Sequence, residues 1–133
     1  TKPTLSFIKE IGQGLPDVFA DRIMIEQVLL NLVRNAREAM AALPVERRKL
    51  TLRAVQLSPQ FVNFSVTDVG SGLAPEVAEN LFSPFMTTKS DGMGMGLSIC
   101  RSIIEYHEGQ MRYVPNMPHG ASFEFSLPIA SDE

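Results

Sequence analysis

The chain has 133 residues, of which 44% are hydrophobic and 20% are charged. This is the size and composition of one globular domain, and it excludes an intrinsically disordered chain. Twelve Lys and Arg against fifteen Asp and Glu give a net charge of −3 without a basic block, so a nucleic-acid-binding surface is not expected. The lone Cys100 excludes an intrachain disulfide framework and a cysteine-cluster metal site. Because the first residue is Thr1 and not Met, we expect residues 1–133 to form a single domain of a longer protein.

The first third of the chain predicts two strands and one long helix. The strands cover Leu5 to Ile11 and, more briefly, Val18 to Ala20. The helix runs from Arg22 to about Ala42 with Asp21 as its N-cap, because apolar residues recur there at steps of three and four. Pro44 is predicted to end it.

The remainder of the chain predicts a hairpin, two shorter helices and a final pair of strands. These elements cover, in chain order, Leu50–Leu57, Phe61–Asp68, Glu76–Leu81, Leu97–His107, Gln110–Val114 and Ala121–Leu127. Gly109 is predicted to cap the last helix. The combination predicts an α/β two-layer sandwich, with a mixed sheet of about five strands packed on three helices. The hairpin argues against a doubly wound parallel sheet.

Polar residues lie along one side of the long predicted helix. Gln27, Asn31, Asn35 and Glu38 follow one another at steps of four, four and three. A solvated helix face would explain the stripe, but Asn31 and Asn35 are poor helix formers inside an apolar run and have no capping role. A carboxamide oxygen is a hard neutral ligand suited to Mg²⁺, which usually binds few protein groups alongside substrate phosphates.

Asp68 lies at the end of a predicted strand, on the side of that strand's apolar residues. A carboxylate buried there needs a partner, because burying it bare is costly. Two interpretations remain open. Asp68 either folds the backbone into an Asx-type turn before Gly70, or it accepts a hydrogen bond from a ligand at the strand end. In the second case Gly70 and Gly72 would let the backbone pass close beneath that ligand.

Three glycines alternate before the helix that is predicted to start at Leu97. They are Gly92, Gly94 and Gly96. Free N–H groups at a helix N-terminus form a site for phosphate oxygens, and Lys89 is a candidate phosphate partner. An ordinary glycine-rich loop with a solvated lysine explains the same residues. The Rossmann and P-loop spacings are both absent.

Together these features resemble the ATP-binding catalytic domain of bacterial sensor histidine kinases, in the ATPase group that includes gyrase, MutL and the large heat-shock chaperones. The boxes that carry the resemblance are Asn31-Leu32-Val33-Arg34-Asn35-Ala36, Asp68-Val69-Gly70-Ser71-Gly72, Phe82-Ser83-Pro84-Phe85 and Gly92-Met93-Gly94-Met95-Gly96-Leu97. The resemblance extends from about Phe7 to Pro128. The short spacing between Lys89 and Gly92 is most similar to the nitrogen-regulation and oxygen-sensing branch.

The resemblance implies a site for ATP and Mg²⁺. Asn35 is implied to coordinate Mg²⁺ with Asn31 beside it, and Asp68 to accept a hydrogen bond from the adenine amino group. The other residues implied to bind the nucleotide are Gly70, Gly72, Phe85, Thr88, Lys89, Gly92, Gly94, Gly96, Leu97 and Ser122. Asn31, Asn35 and Lys89 are the implied catalytic residues. Glu38 departs from the family, in which many sensor kinases have a basic residue at that position.

The activity implied by the resemblance is transfer of the γ-phosphate of ATP to a histidine on a separate helical dimerisation domain. Hydrolytic relatives have a glutamate one turn before the metal-binding Asn, where this chain has Asn31, a poor general base, so efficient ATP hydrolysis is not expected. His107 and His119 are interpreted as structural or surface residues. An ATP-binding module without kinase activity and a hydrolytic ATPase of the same group remain as alternatives.

The resemblance also implies partners that lie outside this chain. They are the protein's own dimerisation and phosphoacceptor domain and, indirectly, a response regulator, whereas the isolated chain is expected to be a monomer. No apolar stretch reaches the roughly 18 residues of a membrane span. We therefore expect a cytoplasmic domain, whether or not its parent protein is anchored in a membrane.

Overall fold

The computed structural model describes residues 6–82 and 93–130. Five strands and three α-helices are formed by these residues. The strands are β1 (Ser6–Ile11), β2 (Lys49–Gln56), β3 (Phe61–Thr67), β4 (Met111–Pro115) and β5 (Ala121–Pro128). The helices are α1 (Arg22–Ala39), α2 (Pro75–Glu79) and α3 (Met93–Tyr106), with a short 3-10 helix at Val45–Arg47. The predicted hairpin is β2 and β3.

The strands form one mixed sheet in the order β1-β2-β3-β5-β4. β1 runs parallel to β2, and the other neighbouring pairs are antiparallel. Helices α1 and α3 pack against each other and against the sheet. The predicted two-layer α/β sandwich with a mixed five-stranded sheet is therefore confirmed. None of the helices in the described ranges is long and apolar enough to cross a membrane.

The core lies between the helix layer and one face of the sheet. Fully buried residues from both helices and from the central strands meet there: Val28, Leu32, Cys100, Ile104, Val66, Phe125 and Leu127. Along β5 the buried apolar residues alternate with serines and a glutamate, as the period of two in the sequence predicts. The helix-covered face of the sheet therefore carries the core, and the other face is polar.

Helix α1 begins as predicted and ends earlier than predicted. Asp21 is its N-cap, since its Oδ1 accepts a hydrogen bond of 2.9 Å from the Met24 N–H. The helix ends at Ala39 and not near Ala42. The Arg48 guanidinium donates to the Ala41 and Leu43 carbonyls at 3.1 and 2.9 Å. This side chain therefore provides partners that a further helical turn would otherwise supply.

Two predicted elements differ from the structure. Instead of a strand from Val18 to Ala20, the structure has an isolated bridge between Val18 and Ile129. Helix α3 begins at Met93 and not at Leu97. Two of the three alternating glycines therefore lie inside its first turn, where the absence of apolar periodicity hid the helix.

The predicted glycine cap of α3 is also wrong in its detail. The residue with positive φ after the helix is Glu108, at 66°. Gly109 has another role, because a Cβ atom there would collide with the Ser126 carbonyl of β5. The glycine therefore permits close packing of the helix end on the sheet rather than a left-handed turn.

Candidate functional site

Asp68 follows β3 directly and is only 2% exposed. Its Oδ1 accepts hydrogen bonds from the Gly70 N–H at 2.8 Å and from the Ala121 N–H at 3.2 Å. The first bond is the predicted Asx-type turn. Within residues 6–82 and 93–130, the Asp68 carboxylate accepts two hydrogen bonds, and both go to Oδ1. The turn therefore leaves Oδ2 for a ligand, and the two interpretations of Asp68 are compatible.

Burial raises the pKa of the Asp68 carboxyl above its ordinary value of 3.8, and the hydrogen bonds from Gly70 and Ala121 act in the opposite direction with a smaller effect. Water would otherwise stabilise the charged form, and the fold keeps most of it away. A hydrogen-bond donor on a ligand would restore part of that stabilisation. The electrostatics at Asp68 thus favour a ligand that presents N–H groups.

The glycines after Asp68 pack the turn against neighbouring backbone. A Cβ on Gly70 would collide with the carbonyl of Ala39 at the end of α1. Gly72 has φ of 75°, and a Cβ there would lie 3.2 Å from the Gly120 oxygen. The structure thus explains Gly70 by helix packing and Gly72 by backbone conformation, and it brings the Asp68 turn onto the C-terminal end of α1.

The two asparagines of α1 have different surroundings. Asn31 is half-buried; its Nδ2 donates to the Gln27 carbonyl at 3.3 Å, and its side chain lies beside the Cys100 thiol of α3. Asn35 is also half-buried, yet its side chain forms no hydrogen bond with any described residue. The Asn31 Oδ1 faces Gly96 of α3, where a Cβ atom would be 2.9 Å away, so Asn35 is the asparagine whose amide is neither bonded to a described residue nor placed at this helix contact.

Helix α1 connects the Asn pair to the Asp68 turn. Asn31, Asn35 and Ala39 are spaced by four residues, so they lie one above another on one face at steps of about 6 Å. Ala39 is the residue against which Gly70 packs. The structure therefore brings together the predicted adenine-binding carboxylate and the predicted metal-binding asparagine along a single face of α1.

The start of α3 faces the same side of α1. A Cβ on Gly96 would lie 2.9 Å from the Asn31 Oδ1, so any side chain at position 96 would displace the Asn31 amide. Gly94 lies in the first turn of α3, where the N–H groups have no partner inside the helix. Leu97 is 5% exposed and packs in the core, so its side chain anchors the start of α3 and does not face a ligand. These N–H groups and the positive end of the helix dipole suit phosphate oxygens.

Four predicted site residues cannot be placed. Phe85, Thr88, Lys89 and Gly92 lie outside the described residues, so their predicted contacts with the nucleotide stay predictions. Within the part of the chain that the structure describes, no group of three or more His, Cys, Asp or Glu side chains is arranged to hold a metal ion. A carboxamide such as Asn35 is not among those residue types.

Ser122 lies away from the other predicted site residues. Its hydroxyl forms a hydrogen bond of 2.8 Å with the Thr67 hydroxyl. Its neighbours Ala121 and Phe123 belong to the core, so alternation directs Ser122 to the opposite face of the sheet. There it lines a polar groove of about 260 Å³. The structure therefore does not bring the Ser122 side chain together with the Asp68 carboxylate.

His107 holds two helix ends together. Its Nε2 accepts from the Asp21 N–H at 3.0 Å and its Nδ1 lies 2.8 Å from the Ile103 carbonyl, which assigns the proton to Nδ1. Both ring nitrogens are therefore used to fix the end of α3 beside the start of α1. The interpretation of His107 as a structural residue is confirmed.

Sequence reasoning missed the loop between β4 and β5 as a part of this site. The Asn116 Nδ2 donates to the Asp68 carbonyl at 2.8 Å, and His119 lies at the surface with its Nδ1 2.9 Å from the Val69 carbonyl. A lone asparagine in a loop has no periodic signal that would mark such a contact. Only the tertiary structure places Asn116 beside Asp68.

Residues 20–131 match the family described as histidine kinase-, DNA gyrase B-, and HSP90-like ATPase. The C4-dicarboxylate transport sensor protein DctS of Rhodobacter capsulatus is 48% identical over 118 residues, which are 89% of this chain and 18% of DctS. Sensor protein FixL of Bradyrhizobium diazoefficiens is 49% identical over 122 residues, or 92% of this chain and 24% of FixL. The chain thus spans about a quarter or less of these relatives, and the predicted branch is loosely consistent with FixL.

Solved structures give the same answer for the fold. The catalytic domain of histidine kinase ThkA superposes with a TM-score of 0.80 at 40% identity, covering 94% of this chain and 79% of that domain. ThkA has also been solved in complex with response regulator protein TrrA, where the TM-score is 0.75 at 37% identity, over 95% of this chain and 34% of that one. The chain belongs to the histidine kinase-, DNA gyrase B- and HSP90-like ATPases, among the histidine kinase catalytic domains.

Proposed function

We propose that this chain binds ATP with Mg²⁺ and donates the γ-phosphate to a histidine on a separate helical domain of its parent protein. The observation that carries the proposal is the packing of the Asp68 turn on Ala39, one turn from the Asn35 side chain. The Asp68 carboxylate, proposed to contact the base, would thereby lie on the same side of α1 as Asn35, proposed to bind the cation. A nucleotide with its metal requires such an arrangement.

Each end of the nucleotide would meet a different kind of group. At the base, Asp68 Oδ2 would accept a hydrogen bond from the adenine 6-amino group, with Gly70 and Gly72 beside the ring. At the phosphates, the Gly94 N–H and the positive end of the α3 dipole would stabilise phosphate oxygens, with Gly96 and Leu97 in the next positions of the helix. Outside the described residues, Phe85, Thr88, Lys89 and Gly92 are proposed to complete this end.

Asn35 fits the metal better than Asn31 does. Its half-buried carboxamide has no hydrogen bond from the described residues, and amide oxygens suit Mg²⁺. When bound, Mg²⁺ would neutralise charge on the phosphates. The Asn31 Nδ2 is bonded to the Gln27 carbonyl and its Oδ1 faces Gly96 of α3, so its part would be to hold α1 and α3 together beside the phosphates.

Transfer to a histidine is favoured over hydrolysis by the state of the same residues. Asn31 is neutral and its amide is engaged, so it is no base for activating water. A neutral imidazole is a nucleophile by itself and needs no such base. His107 cannot be the acceptor, because the lone pair on its Nε2 is held by the Asp21 N–H. As the resemblance to sensor histidine kinases implies, we place the acceptor on the parent protein's helical domain, and a response regulator after it.

Isothermal calorimetry of ATP binding with and without Mg²⁺ tests the site. Asp68→Asn keeps the Oδ1 acceptor for Gly70 and Ala121 but removes the charge, so we expect ATP affinity to fall roughly tenfold or more, as for hydrogen bonds to charged groups. Asp17→Asn, at an exposed position, is the matched control and should bind ATP normally. Unchanged affinity in Asp68→Asn would contradict the site.

Phosphotransfer tests the reaction. The chain is mixed with labelled ATP and the helical domain of its parent protein, and we expect acid-labile, base-stable phosphate on that domain. Tight ATP binding without such phosphate would instead indicate a binding module. Steady release of phosphate by the chain alone would indicate a hydrolytic ATPase.

A further inference from the structure

The loop from Asn116 to Gly120 holds the peptide that carries Asp68. The Asn116 Nδ2 donates to the Asp68 carbonyl at 2.8 Å, and the His119 imidazole contacts the next carbonyl, of Val69, at 2.9 Å. Asn116 is half-buried and its own N–H pairs with the Gly120 carbonyl at 3.2 Å. Two consecutive carbonyls after β3 are thus fixed by side chains from one loop.

These side-chain hydrogen bonds take the place of the backbone hydrogen bonds between β3 and β5 at the point where that pairing ends. The Asp68 N–H still donates to the Ala121 carbonyl at 2.8 Å, but the regular pairing of β3 with β5 ends at Thr67. From there on the Asp68 carbonyl has Asn116 as its partner. Because Oδ1 is fixed by the Gly70 and Ala121 N–H groups, the orientation of the Asp68 peptide decides where Oδ2 points.

We infer that Asn116, supported by His119, is a positioning residue that aims Asp68 Oδ2 and so sets the selectivity of the site for a base with an exocyclic amino group. The inference rests on the proposed function, in which Asp68 reads adenine. Asn116 need not touch the nucleotide. Hydrogen-bond strength falls steeply with misalignment, and a functional group held loosely by even about 0.5 Å loses performance.

A selectivity measurement separates positioning from mere stability. ATP is compared with purine riboside triphosphate, which lacks the 6-amino group, by calorimetry on the whole chain with thermal unfolding measured in parallel. We expect Asn116→Ala to weaken ATP binding about three- to tenfold, the range for one hydrogen bond, and to leave the analogue's affinity unchanged. A purely structural role would weaken both ligands equally, which would overturn the inference.

Two further variants make the result decisive. Gln56→Ala is the matched control, since it removes a like amide-to-carbonyl bond, 3.1 Å to the Ser58 oxygen, in the β2–β3 turn; it should change neither ligand. His119→Ala changes an exposed residue and should give a smaller loss with the same selectivity. It provides the test if Asn116→Ala does not fold, and equal loss of both ligands in His119→Ala would likewise overturn the inference.

Comparing Asp68→Asn, Asn116→Ala and the variant with both changes distinguishes failure of this inference from failure of the proposed function. If Asp68→Asn leaves ATP affinity unchanged, the adenine contact itself is wrong. If Asp68→Asn weakens ATP but Asn116→Ala keeps full selectivity, only the positioning role is wrong. Positioning requires that Asn116→Ala adds no further loss of ATP affinity in the Asp68→Asn background.

Discussion

The base end and the phosphate end of the candidate site are built in different ways. At the base end, backbone N–H groups of Gly70 and Ala121 and the Asn116 side chain of the β4–β5 loop form hydrogen bonds around one buried aspartate. At the phosphate end, the surfaces of α1 and α3 meet across Gly96, beside two amide side chains. A hydrogen-bond network that includes backbone groups therefore governs the base end, whereas helix packing and two amide side chains govern the phosphate end.

The largest effect is expected from adding a methyl group at the base end. Gly120 has φ of 116°, and a Cβ there would collide with the Asp68 carbonyl. Gly120→Ala should lower the free energy of unfolding by roughly 2–4 kcal/mol, because strain and collision add. Urea denaturation measures it.

Gly14→Ala is the control for that change. Gly14 also has positive φ, at 66°, but its Cβ would have open space around it. We expect a loss of about 1 kcal/mol from conformation alone. Equal losses at the two positions would show that the close approach to Asp68 is unimportant.

At the phosphate end, changing Asn35 should affect ATP binding, whereas changing Asn31 should affect stability. Asn35→Ala should weaken Mg²⁺-dependent ATP binding by roughly tenfold, as loss of a metal-site group does, without lowering stability, since Ala favours the helix. Asn31→Ala should lower stability by about 1 kcal/mol through its lost hydrogen bond. Calorimetry with and without Mg²⁺ and urea denaturation measure the two, and the reverse pattern would contradict the assignment.

Acidification should act on the base end through Asp68. Burial raises the pKa of Asp68, so the folded protein holds this proton more tightly than the unfolded chain does. Its contribution to stability is greatest below the ordinary pKa of 3.8 and is lost as pH rises through the folded value. The fraction of Asp68 in the ionised form, which is proposed to bind adenine, decreases as pH falls.

ATP affinity should therefore decline on acidification from a higher pH than an ordinary aspartate would give. Titrations from about pH 7.5 to about pH 5 measure this. The Asp68→Asn variant reports the titration of ATP itself and serves as the reference. Identical pH profiles for the two proteins would contradict the role of the carboxylate.

The smallest effect is expected at the start of the polar stripe. Gln27 is exposed, and only its backbone carbonyl is used by Asn31. Gln27→Ala should change stability by no more than about 0.5 kcal/mol and leave Mg²⁺-dependent ATP affinity unchanged. A clear loss of affinity would mean that Gln27 also belongs to the phosphate end of the site.

Regular patterns in the sequence predicted the fold and part of the site. Period two placed Asp68 with the core side of β3, and period 3.6 placed Asn31 and Asn35 on one side of α1. The start of α3 was not predictable, since glycines alternate there where apolar residues would mark a helix. The contact of Asn116 with the Asp68 carbonyl joins residues 48 positions apart, and no local pattern encodes it. The resemblance predicted that Ser122 lies near adenine, but the alternation along β5 directs its side chain to the opposite face of the sheet.

The pairing of Thr67 with Ser122 has a consequence for how β3 and β5 must align. Thr67 faces the water-exposed side of the sheet and its neighbour Asp68 faces the helix layer. A slip of β3 by one residue would exchange the two faces, sending the carboxylate into solvent and a hydroxyl towards the proposed adenine site. Correct strand registration during folding is therefore a condition for nucleotide recognition as well as for a well-packed core.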